Sequence, residues 1–111
     1  METLNTINIL GTEYVVVRQK EEENPKLKEA NGLCEIYSKK IVLREIDEDD
    51  LNCYENIEAW KNKTLRHEII HAFFAESGLR NNCSFAEDEE LVDWIAIQFH
   101  KIEKVFNELG I

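Results

Sequence analysis

Cysteine is scarce in this chain of 111 residues, and the three present, Cys34, Cys53 and Cys83, are odd in number and widely spaced. That excludes a disulfide framework and a Cys-x-x-Cys zinc site; buried structural thiols are the expected role, and a reducing cytoplasm the expected compartment. No apolar run approaches membrane-spanning length, and the N-terminus has no basic segment followed by an apolar one. Neither membrane insertion nor secretion is therefore expected. Cations are few, 13 Lys and Arg against 23 Asp and Glu, for a net charge of −10. Unaided binding to a phosphate backbone would need a cation at every contact, so nucleic acid is a poor partner. With one proline and four glycines, chain breaks are rare enough to mark element ends. There is no repeat or low-complexity tract.

What is present suffices for one folded unit. A 43% hydrophobic content supports a single modest core, and residues 1–111 read as one domain. The first half has strand character. Residues 7–10 and 14–18 are rich in β-branched side chains and flank Gly11-Thr12, which predicts a β-hairpin. An acidic stretch with Pro25 follows, with one helical turn expected around residues 26–30. Asn31-Gly32 then leads into a second strand pair, residues 33–37 and 40–45, joined at Ser38-Lys39; Cys34 and Ile36 alternate with Glu35 and Tyr37.

The second half has helical character. The acidic run 47–50 suits a helix N-terminus, and no Gly or Pro appears again until Gly78. A long helix should start within residues 51–57 and stop at Gly78. Ser84-Phe85-Ala86-Glu87 has the capping-box pattern, so a second helix is expected from Phe85 to about Leu109, ahead of Gly110.

The first of these helices carries His67-Glu68-Ile69-Ile70-His71. Residues four apart on an α-helix differ by about 40° in azimuth and one turn in height, so both imidazoles can reach one cation. Glu68 then lies beside the ion, placed to take a proton from water as general base. Residue frequencies give roughly a 1% chance of such a match at random. The alternative, an exposed amphipathic stretch with Glu68 paired to a neighbouring cation, fits poorly with Ile69, Ile70, Phe73 and Phe74.

A catalytic zinc site normally has three protein ligands and one open position. The two helices should form an antiparallel hairpin, with His71 about 10 Å before the end of the first, and Glu89 and Glu90 about 7.5 and 9 Å into the second. Height does not separate the two glutamates. Azimuth favours Glu89, which lies nearer the apolar side defined by Leu91, Val92, Ile95, Phe99, Ile102 and Phe106; Glu90 stays as the alternative third ligand. Asp93, four residues after Glu89, could accept the remaining N–H of His67 or His71. His100 stands roughly 16 Å further along and reads as a surface residue.

HEIIH on one helix followed by EELVDWIA on the next resembles the gluzincin branch of zinc metallopeptidases. The Glu89-x-x-x-Asp93 spacing is similar to the glutamate helix of thermolysin-type enzymes. The ImmA/IrrE group and the very small minigluzincins share this two-helix logic, and short metallopeptidase-like proteins of phages and Firmicutes resemble nearly the whole chain. The resemblance implies an α+β, minimal zincin-like domain: a small N-terminal sheet of about four strands, packed on the HExxH helix and a C-terminal glutamate helix. It further implies Zn2+ held by His67, His71 and Glu89, Glu68 as general base, Asp93 as orienting residue, and a peptide or protein substrate. An edge strand would bind that substrate by β-augmentation, with residues 40–45 as the candidate. For an oxyanion stabiliser Tyr37, Tyr54 and Arg66 are available, and no spacing selects among them. Two other classes compete with a peptidase: an inactive zinc-binding protein with its open position closed by side chains, and a non-enzymatic acidic binding or inhibitor protein of phage origin whose HEIIH match is accidental.

Overall fold

The computed structural model describes residues 2–47 and 55–111. They form an α+β domain with a four-stranded mixed sheet and three helices. The strands are β1 (Glu2–Ile9), β2 (Thr12–Gln19), β3 (Gly32–Glu35) and β4 (Lys40–Arg44). A 3-10 turn, Pro25–Lys28, lies between β2 and β3. The helices are α1 (Ile57–Glu76), the single-turn α2 (Leu79–Asn82) and α3 (Glu89–Glu108), with a second 3-10 turn, Ser84–Glu87, before α3.

β1 and β2 form the expected hairpin, longer than the β-branched runs alone suggested and with its turn one residue earlier. The two turn positions are Leu10 and Gly11, at φ 50° and 92°. A tight two-residue hairpin turn needs positive φ at both central positions to follow the strand twist. Leu10 adopts it while the Asn8 side chain accepts a hydrogen bond from the Gly11 N–H at 2.8 Å. The helical turn expected at 26–30 is the 3-10 turn Pro25–Lys28, capped by Asn24.

The sheet order is β1-β2-β4-β3, with β4 parallel to β2 and antiparallel to β3. This corrects the edge assignment. β4, expected at the rim, is interior and hydrogen-bonded on both sides, and the short β3 forms the edge beside it, with β1 at the opposite edge. β4 carries Ile41, Val42 and Leu43, all buried, and only a central strand can cover such a run from both faces. β3 also ends at Glu35, so Ile36 and Tyr37 fall in the loop, and Lys39 takes φ 54° to reverse the chain.

Period-two alternation distributes the side chains. Tyr14, Val16, Ile41 and Leu43 face α1, where they pack with Ala72, Leu65 and Ile69. Val17 and Val42 face the other way and bury Leu27 of the 3-10 turn. At its far end α1 is held to the sheet through Glu76, whose carboxylate accepts from Lys39 Nζ at 2.7 Å and from Tyr14 Oη at 3.2 Å.

α1 starts at the last residue of the expected range. Its cap is Asn56, whose side chain accepts from the Ala59 N–H. Of the acidic run 47–50, Asp47 lies outside any helix, and residues 48–50 lie outside the described residues. α1 stops where expected, with Gly78 at φ 86°, a left-handed position that favours glycine. α3 starts later than the capping-box pattern implied. Asp88 is its cap, accepting from the N–H groups of Glu90 and Leu91 at 2.9 and 3.2 Å. Ser84–Glu87 closes a separate 3-10 turn instead. Glu89 thus occupies the first helical position of α3.

Candidate metal centre

Two parallel stripes of α1 build the site. Thr64, Glu68 and Ala72, spaced four apart, are buried. One step round the helix His67 and His71 are half-buried, their rings 4.9 Å apart and inclined at 67°. Ligand atoms of His67, Glu68 and His71 all lie within 4.8 Å of one another, a group that could hold a metal ion.

α3 brings the second carboxylate. Glu89 Oε2 stands 2.8 Å from His67 Nε2, and Oε1 stands 3.0 Å from His71 Nε2. One carboxylate therefore spans both imidazoles. On its far side the His67 ring meets Asp93 through Nδ1, at 3.2 Å from Oδ1. A neutral imidazole donates from only one nitrogen. With carboxylates at both nitrogens of His67, one can be matched by an N–H and the other by a cation. The donor set could therefore hold a metal ion in place of a second proton.

Asp93 also accepts from Lys63 Nζ at 2.9 Å. Burial works against its charge, but the bonds from Lys63 and His67 outweigh it and hold its carboxyl below the usual range. Lys63 sits four residues before His67 on the same helical face, the i,i+4 signal by which the sequence alone could have found it.

Glu68 is only 6% exposed. Burial pushes its carboxyl up to about 7, with His67 pulling it down and Glu89 raising it further. His71 is displaced the other way: burial lowers it against the attraction of Glu89, which favours the neutral ring that a metal requires. The Cys34 thiol is raised by burial, and then by Glu68, to about 12. It is a protonated wall of the site.

The other sequence candidates separate clearly. Glu90 is exposed and absent from the walls of the site. Tyr37 is 94% exposed. Arg66 donates from Nε to the Ala96 carbonyl at 2.7 Å, tying α1 to α3. Neither residue lines the site, because Tyr37 belongs to the β3–β4 loop and Arg66 faces the helix–helix contact. Tyr54 and Cys53 lie outside the described residues, and His100 is exposed. Arg80 in α2 lines the cleft and pairs with Glu87 at 3.5 Å. Nothing in its sequence surroundings marked it, since its place depends on the turn at Gly78.

The cleft has a volume of about 600 Å³ and runs between the β3 edge and the start of α3, with His67, Glu68, His71 and Glu89 on its walls. Gly32 of β3 makes its wall continuous with the helix. A Cβ there would stand 3.1 Å from both Glu68 Cγ and Thr64 Cγ2. No helix among the described residues is long and apolar enough to cross a membrane. No protein-family model, curated protein or solved structure matches the chain.

Proposed function

We propose that this chain is a zinc-dependent metallopeptidase of minimal zincin-like architecture. His67, His71 and Glu89 hold the ion and Glu68 is the general base. The observation that carries this reading is the Glu89 carboxylate spanning the two Nε2 atoms while a second, buried carboxylate stands beside them. The two acids are suited to different tasks. Glu89 is 68% exposed at the mouth of the cleft, where an incoming cation can reach it from solvent. Glu68 is enclosed beside the two imidazoles, placed to exchange a proton with water in the cleft.

A divalent ion held by these three residues supplies a Lewis acid that makes water acidic near neutral pH and polarises a peptide carbonyl. Glu68 accepts the proton from the attacking water and passes it to the leaving amide nitrogen. Asp93 accepts the Nδ1–H of His67, fixing the tautomer that leaves Nε2 free, and Lys63 keeps Asp93 ionised. The β3 edge, rather than β4, offers an extended peptide unpaired backbone groups alongside Glu68. Arg80, on the same cleft, is the cation available to substrate carbonyls or carboxylates.

The test combines metal content with turnover. Purified protein should contain one zinc per chain and cleave unstructured peptides. Glu68→Gln should retain zinc and lose cleavage by at least about 100-fold, whereas His67→Ala should lose the metal. Stoichiometric zinc without turnover on any peptide library would instead favour the inactive zinc protein, and absence of zinc at neutral pH the acidic binder.

A further inference from the structure

The last turn of α3 projects beyond the helix it packs on. Val92 and Ala96 are the buried residues of α3, and the helices meet through Arg66 and the Ala96 carbonyl. Counting back along α1 from His67, which faces Asp93, its first residue lies level with about residue 103 of α3. Past that level large apolar side chains remain exposed: Val105, Phe106, Leu109 at 70% and Ile111, with Phe99, one turn short of it, 57% exposed.

The spacing of this face is regular. Leu91, Ile95, Gln98, Ile102, Val105 and Leu109 recur at alternating steps of four and three, the spacing of a seam that packs against another helix. We propose that residues 98–109 pair antiparallel with the same segment of a second copy of this chain. In that register Ile102 packs on Val105 of the second copy and Phe99 on its Phe106, each contact occurring twice about the two-fold axis.

Charge sets the direction. Lys101 and Glu108 flank the seam on one side, and antiparallel alignment places each opposite the other across the dimer. Parallel alignment would set Lys101 beside Phe106 and leave both charges unmatched. It would also bring the two folded bodies to the same end, whereas antiparallel pairing holds them apart. The apolar area exposed at these positions is on the order of 500 Å² per copy, so pairing removes roughly 1,000 Å², near the lower bound for a specific interface. A dimer dissociating at about micromolar concentration is the expected result. This pairing is independent of the metal and of the peptidase reading.

Sedimentation equilibrium of the full chain tests it. The wild type should show a monomer–dimer equilibrium, and Phe106→Glu, an exposed position whose substitution spares the core, should be monomeric with unchanged circular dichroism. Lys101→Glu alone and Glu108→Lys alone should each weaken dimerisation about tenfold or more by setting like charges opposite one another. The Lys101→Glu/Glu108→Lys double variant should recover the wild-type constant to within about threefold. A wild type that stays monomeric throughout, a dimer indifferent to Phe106→Glu, or a double variant no better than the singles would each overturn the proposal.

Discussion

Gly32 of β3 lies directly against Glu68 of α1: a Cβ at position 32 would stand 3.2 Å from Glu68 Oε2 as well as 3.1 Å from its Cγ. The sheet edge and the proposed base are in contact only because residue 32 has no side chain. Gly32→Val should therefore displace the Glu68 carboxylate and destabilise the fold by about 1–3 kcal/mol through overpacking. Zinc content should persist, since no proposed ligand is touched, while kcat falls. Unchanged kcat in a folded Gly32→Val protein would separate the two residues functionally.

Glu89 and Glu90 are neighbours with opposite expected consequences. Glu89→Ala should weaken zinc binding by roughly 100-fold or more, because it removes one of the three proposed ligands. Glu90→Ala should leave affinity within about twofold, its side chain having no place in the site. Competition titration against a chromophoric chelator reads both. Equal losses in the two variants would contradict the geometry at the start of α3.

Asp93 reaches the proposed site through its contact with His67. Asp93→Asn should lower zinc affinity by about 10- to 100-fold, and Lys63→Met by less, since Lys63 touches the imidazole only through Asp93. The nitrogen chemical shifts of His67 should report a changed tautomer balance in Asp93→Asn. Shifts identical to wild type would limit Asp93 to a packing role.

The Glu68 contribution to the stability of metal-free protein should fall as pH rises. The Glu68 carboxyl is raised by burial from its ordinary 4.5 to about 7, so the folded chain binds its proton more tightly than the unfolded chain does. That contribution is complete below about pH 4.5 and lost as pH passes through 7, a span worth about 3 kcal/mol. His71, lowered by burial, acts in the opposite sense, favouring the fold above the ordinary imidazole pKa and losing that preference as pH falls. Denaturant titrations of apo wild type and apo Glu68→Gln isolate the carboxyl. The variant should lack the decline between about pH 4.5 and 7, and a parallel decline in both proteins would remove Glu68 as its source.

Much of this site was legible because it is local. Two histidines four apart share a helical face whatever surrounds them, and the stop at Gly78 follows from its backbone freedom. The hairpin and the division into strands then helices were equally visible in periodicity. The start of α3 was not, since Ser84 and Asp88 both have capping side chains and the intervening 3-10 turn decides between them. Nor was Arg80, which reaches the cleft only through the turn between α1 and α3.

The sequence by itself determined an α+β chain with paired imidazoles and a carboxylate on one helix, and nominated the acids that could face them. Only the tertiary structure decided that β3 rather than β4 forms the sheet edge, that Glu89 rather than Glu90 spans the imidazoles, and that the end of α3 keeps its apolar face in solvent. The division has one physical cause. Helical spacing is fixed by backbone hydrogen bonds a few residues apart, whereas strand order and the meeting of two helices depend on burying surfaces contributed by residues far apart in the chain.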